Sequence, residues 1–145
     1  MDTTRLAAQT LTQPITAAVR SIDGLAVPVS AELRYSSSDP YALTIAFHLG
    51  GGTVPWIFAR DLLDGGLAEP TGDGDVHVWP CDNDEGDPVV TVELCSLDGD
   101  ALVEVRAEDA AAFLRRTHSV VAAGAESAHL DFDALFTALL GTENA

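Results

Sequence analysis

The densest group of potential metal ligands in the chain is the run Asp82-Asn83-Asp84-Glu85-Gly86-Asp87. Asp82 and Asp84 would occupy positions 1 and 3 of a calcium-binding loop, with Glu93 at position 12. The sharp turn of such a loop needs glycine at position 6, but Asp87 stands there and Gly86 comes one residue early. Glu93 also falls in an alternating stretch that reads as strand, so the run reads as a solvated hairpin tip. Cys81 and Cys95 form no Cys-x-x-Cys, and His48, His77, His118 and His129 are scattered without ligand spacing. The thiols read as free and structural, the imidazoles as surface groups. No Gly-x-Ser-x-Gly is present, and Ser36-Ser37-Ser38 ahead of Asp39-Pro40 has turn chemistry as a sufficient reason. Gly72-Asp73-Gly74-Asp75 lacks the third glycine of a dinucleotide fingerprint, precedes a strand, and would repel a pyrophosphate. Asp73 and Asp75 are a carboxylate pair of the kind common in turns. Spacing therefore assigns no catalytic, cofactor-binding or metal-binding residue, and no enzymatic activity is expected.

These residues must be held by a mostly β framework. A first strand is expected near residues 12–21, where Pro14 suggests an exposed edge. Val27, Val29, Ala31 and Leu33 alternate with polar positions, and Pro28 again suggests an edge. Tyr41, Leu43, Ile45 and Phe47 share the next strand face; Gly50-Gly51-Gly52 turns the chain into Val54, Trp56 and Phe58, interrupted by Pro55. A short helix over residues 59–64 is stopped by Gly65-Gly66. Strands over 75–79 (ended by Pro80), 89–95 and 101–105 follow, the last two joined through the hairpin signal Asp98-Gly99. That makes about seven strands. The period then changes. Glu108 and Asp109 open a helix that Arg115-Arg116 close in the sense of its dipole, with Ala110, Phe113, Leu114, Thr117 and Val121 at helical spacing. Asp131 caps a second helix carrying Phe132, Leu135, Phe136, Leu139 and Leu140. Strands followed by helices predict an α+β, β-rich single domain over residues 1–145. Trp56 and Trp79 are expected in its core.

Composition sets the partner class. The chain has 145 residues, 47% of them hydrophobic, which supports a real core. It carries 23 acidic residues and 7 basic ones, all arginine, for a net charge of −16. A field this negative repels nucleic acid and anionic lipid, whose recognition needs clustered cations. No basic leader precedes an apolar stretch, and no window approaches the roughly 20 apolar residues of a membrane span. A cytoplasmic protein without membrane insertion is expected.

Longer strings carry a resemblance. Leu33-Arg34-Tyr35-Ser36-Ser37-Ser38-Asp39-Pro40-Tyr41-Ala42, then Phe47-His48, then Trp56-Ile57-Phe58-Ala59-Arg60-Asp61-Leu62-Leu63, occur in order. Gly72-Asp73-Gly74-Asp75-Val76-His77-Val78-Trp79-Pro80, Phe113-Leu114-Arg115-Arg116-Thr117 and Leu130-Asp131-Phe132-Asp133 follow. The set resembles the SsgA-like proteins, which act in sporulation and cell division of filamentous actinobacteria, over residues 25–140. Pro55 stands where the family usually has an acidic residue, His77 where it has a basic one, and the 82–87 run is distinctive. The resemblance implies a β-rich subunit with C-terminal helices, Whirly-like in topology and assembled as a trimer. It also implies a non-catalytic adaptor at the division septum that controls where septa form. The partners implied are further copies of the chain, other SsgA-like proteins and the tubulin-like division protein FtsZ. Trp56, Phe58, Arg60 and Asp61 are the candidates to form or support a contact surface, and no cofactor is implied. The Whirly likeness also offers single-stranded nucleic-acid binding as an alternative, although dispersed arginines do not make a positive groove.

Overall fold

Period-two alternation puts the apolar side chains of each strand on one side, and the computed structural model shows one sheet sorted into two faces. It describes residues 8–20, 24–97 and 99–130. Strands β1 (Thr10–Arg20), β2 (Ala26–Ser36), β3 (Ala42–Leu49) and β4 (Gly52–Ala59) form one antiparallel meander. Strands β5 (Thr71–Asp73), β6 (Val76–Asp82), β7 (Pro88–Ser96) and β8 (Gly99–Arg106) form another. They join through β1 and β8 into one antiparallel sheet of order β4-β3-β2-β1-β8-β7-β6-β5. Helix α1 (Arg60–Gly66) links the meanders, and β8 runs into α2 (Ala107–Val120), with a short 3-10 turn at Glu126–His129.

The linkage forces the sheet to curl. Helix α1 connects β4 to β5, the two outermost strands. In a flat sheet of eight strands these edges would lie about 34 Å apart. The helix spans about 10 Å and the four residues before Thr71 add at most about 14 Å. The edges must approach, and the concave face so formed is the apolar one: Leu33, Ile45, Val78, Val92 and Val103 are all buried on it.

A second irregularity admits α2. Strands β1 and β8 pair only over Ala18–Arg20 against Leu102–Glu104, and beyond that point they diverge. Helix α2 occupies the divergence. The Gln13 amide donates to the Asp109 carbonyl (3.2 Å) and Arg116 donates to the Thr12 carbonyl (3.2 Å), so the first half of β1 lies beside the helix. Ala110, Phe113, Leu114 and Thr117 turn inward at helical spacing. The acidic first turn is as expected, but the helix continues to Val120, so His118 rather than Arg115-Arg116 lies in its last turn.

The prolines mark where strands have one neighbour. Pro55 is on the edge strand β4. Pro28 lies on β2 outside its stretch paired with β3, and Pro14 on β1 outside its stretch paired with β8. The expectation that Pro14 and Pro28 mark edge strands is corrected, since β1 and β2 both lie inside the sheet order and each is open on one side only along part of its length. Strand β6 likewise does not end at Pro80. It runs to Asp82, because β5 pairs only with residues 76–78 and no strand on that side needs an N–H from Pro80. Among the described residues β5 raises the strand count from about seven to eight; Thr71-Gly72-Asp73 is too short to show alternation. The tryptophan expectation is also revised. Trp56 is half-buried against the core, and Trp79 lies on the opposite face, across from Thr91. The second expected helix, from Asp131, lies outside the described residues.

Gly66 ends α1 at a close approach rather than at a flexible stop. A Cβ there would sit 2.1 Å from Val78 Cγ1 and 2.6 Å from its Cβ. Gly66→Ala is therefore expected to lower stability by about 1–3 kcal/mol through overpacking, although alanine is the better helix former. Urea denaturation of the two proteins measures this, and an unchanged midpoint would contradict the packing account.

Candidate interaction surface

Consecutive residues on either side of the β4–α1 junction have different fates. Trp56 and Phe58 point to the concave face, where Phe58 is buried and Trp56 is half-buried at the open end. Asp61 is exposed on α1. Arg60, in contrast, is 0% exposed. Of the four residues expected to form or support a contact surface, Trp56 and Asp61 reach solvent, whereas Phe58 and Arg60 can act only from beneath it.

Arg60 is held by long-range partners. Its Nη2 donates to Glu126 Oε2 (2.8 Å), and its Nη1 donates to the Val121 carbonyl (2.8 Å) and Thr117 Oγ (3.4 Å). The guanidinium carbon lies 5.1 Å from the centre of the Tyr35 ring, a contact suited to a cation withdrawn from water. The Tyr35 hydroxyl donates to the Pro40 carbonyl (2.8 Å), and the Arg60 amide donates to the Tyr41 carbonyl (2.7 Å). Glu126 also accepts from the Gly124 amide (2.9 Å). The hydrogen bond from Arg60, aided by the backbone amides of Glu126 and Gly124, holds the Glu126 carboxyl below its ordinary pKa against the opposing effect of burial. Burial in turn pushes the Tyr35 hydroxyl up. One cluster thus ties the β2–β3 turn, the start of α1, the end of α2 and the 3-10 turn together. Glu126 was missed in the sequence because a lone glutamate in a Gly/Ala/Ser-rich stretch carries no spacing signal.

At the other end of the concave face, α2 covers nothing. An apolar groove of about 330 Å³ opens there, lined among others by Val19, Val27, Leu49, Val54, Trp56 and Val103. Val27 is 52% exposed, Leu49 48% and Val54 42%. Exposed aliphatic side chains clustered around a tryptophan suit burial against another protein surface.

The polar groups elsewhere sort differently. Asn83 closes the 82–87 run: its Oδ1 accepts from the amides of Glu85 and Asp87 (both 2.9 Å), and Asp84 takes Arg20. His118 Nε2 meets Asp64 Oδ2 at 2.7 Å and ties α2 to α1, while His48 meets Thr53. His77, Glu93 and Cys95 come together on the outer face of β6 and β7, with their ligand atoms all within 4.8 Å of one another. Burial first, then the carboxylates of Asp100, Glu93 and Asp75, push the Cys95 thiol up. Arg20, Arg34 and Arg60 are each held by a glutamate.

The described residues form one curled antiparallel sheet packed against α2, and that fold sets the class. The family described as Streptomyces sporulation and cell division protein, SsgA, matches residues 29–126. The chain belongs to this family, and the matched stretch contains Tyr35, Arg60, Thr117 and Glu126. Within the family it is similar to proteins called sporulation-specific cell division protein SsgB. It is 50% identical to that of Salinispora tropica over 121 residues, covering 81% of this chain and 84% of the relative. It is 49% identical to that of Streptomyces coelicolor over 108 residues, covering 74% and 78%. Solved structures agree. An SsgA-like sporulation-specific cell division protein from Thermobifida fusca superposes with a TM-score of 0.80 at 37% identity, covering 94% of this chain and 98% of that one. A structure described under mutations in SsgB and longitudinal cell division during sporulation of Streptomyces coelicolor gives 0.79 at 42%, covering 84% and 96%.

Proposed function

We propose that the chain is a non-enzymatic adaptor of sporulation-specific division, which helps select septum sites by recruiting or localising FtsZ. It works in the cytoplasm at the septum, as a Whirly-like subunit in a homotrimer. The observation that carries this reading is the apolar groove beside Trp56, which suits a protein contact and is lined by apolar side chains. The groove faces a second copy of the chain, and the exposed Asp61 on α1 belongs to the surface left for division proteins. The names of the SsgB relatives support the process. No helix among the described residues is long and apolar enough to cross a membrane. Single-stranded nucleic-acid binding is not favoured: among the described residues no cation lines the groove, and three of the arginines are occupied by carboxylates.

Val54→Asp tests the self-contact. Val54 is exposed, so the fold should shift by no more than about 0.5 kcal/mol, whereas a carboxylate in a dry interface would weaken assembly at least about tenfold. Light scattering after size exclusion reads the mass, and co-sedimentation with FtsZ reads the partner. A wild-type monomer would refute the trimer, and absence of FtsZ binding at low salt would refute the recruiting role.

A further inference from the structure

We propose that His77, Glu93 and Cys95 form a site for a divalent ion of the zinc class on the outer face of β6 and β7. The fold places the donors. His77 and Glu93 are register partners, and Cys95 follows Glu93 by two residues on the same face. His77 Nδ1 lies 3.4 Å from Glu93 Oε1, and the three ligand atoms are within 4.8 Å of one another. Zinc bonds of about 2.0–2.3 Å in tetrahedral geometry require donors about 3.6 Å apart. The trio is therefore within small side-chain rotations of a coordinating arrangement.

The imidazole is held in place by what is missing opposite it. Gly72 pairs with His77 across β5 and β6, and a Cβ there would lie 2.2 Å from His77 Cδ2 and 3.1 Å from its Nε2. The ring therefore lies over Gly72 on its Cδ2–Nε2 edge while Nδ1 meets Glu93. The environment suits a dication. Asp100 is the register partner of Cys95, and the Asp75 carbonyl accepts the Cys95 amide at 2.9 Å. The His77 and Glu93 side chains are 47% and 32% exposed, so an ion can enter from solvent. One nitrogen, one sulfur and one carboxylate donor select zinc-class ions over calcium or magnesium, which prefer all-oxygen shells. Three protein ligands leave the fourth position to water. Binding would release the thiol proton of Cys95 to solvent, without any redox change.

The experiment titrates chelator-treated full-length protein with Co²⁺ and, by calorimetry, with Zn²⁺. One equivalent of Co²⁺ should bind with a thiolate-to-cobalt absorption band, and Zn²⁺ should abolish that band. Cys95→Ser and His77→Ala should each weaken Zn²⁺ binding at least about tenfold, and Cys95→Ser should remove the band. Gly72→Ala, which displaces the ring, should weaken binding, while Cys81→Ser should not. Circular dichroism checks that each variant is folded. Absence of the band, or affinity unchanged by Cys95→Ser and His77→Ala, would overturn the site and leave only diffuse attraction to the acidic surface.

Discussion

Replacing Arg60 with methionine is expected to lower unfolding free energy by about 3–5 kcal/mol, because it leaves the Glu126 carboxylate without its cation in a dry site. For a domain of this size that is a fall in melting temperature of about 10–15 °C. The loss is larger than a surface ion pair would produce, since exposed pairs contribute about 0–1 kcal/mol. Removing both charges with Arg60→Met and Glu126→Gln together should destabilise less than Arg60→Met alone, because no unpaired charge then remains buried. The pH dependence supplies an independent reading. Hydrogen bonding from Arg60 lowers the Glu126 pKa from its ordinary 4.5 in the folded state. Its contribution is therefore complete above the unfolded value and disappears as pH falls through the lowered one. Glu126→Gln should be less stable than the wild type at pH 7, and the two should converge as the solution is acidified well below pH 4.5. Urea denaturation from pH 7 to pH 3 measures this. An offset that stays constant across the range would show that the pair contributes nothing through charge.

Phe113→Ala is expected to cost a similar amount, about 3–5 kcal/mol, for a different reason. The Phe113 side chain is 0% exposed and belongs to the apolar stripe that α2 turns into the sheet. The helix fills the divergence of β1 from β8, so the lost ring leaves a cavity between the two meanders that neither can collapse into alone. Arg116 lies over the ring at 5.7 Å from its centre and would lose that contact as well. Because both meanders pack on one helix, the variant should still unfold in one cooperative transition, at lower denaturant. Coincident fluorescence and far-UV circular dichroism curves would confirm this. Two separated transitions would show that the meanders are independent units joined only by the short β1–β8 ladder.

Much of the framework was legible in the residues because strand alternation and helical spacing are local properties. Val27 to Leu33 and Leu43 to Phe47 each declare a strand face, and Ala110 with Phe113, Leu114 and Thr117 a helical one, within a few positions. These elements stand where the pattern places them, although Val27 itself is 52% exposed at the groove. The family strings were legible for the same reason. Strand β5 was not, since three residues with a glycine at the centre have no period. The fate of the candidate contact residues was not legible either. Arg60 beside Asp61 at the start of a short helix carries no local sign that Arg60 is buried and Asp61 exposed.

The sequence established a β-rich, acidic chain with a late helix, a family resemblance and no ligand spacing, because each of these rests on neighbouring residues or on composition. It could not establish which residues meet. Arg60 is buried because Tyr35 and Glu126, 25 and 66 positions away, arrive on either side of it. His77 acquires Cys95 only when β6 and β7 pair. The groove exists because α2 covers one end of the curled sheet and leaves the other end open. Such contacts follow from closing long loops around one core, so no window of the chain contains them.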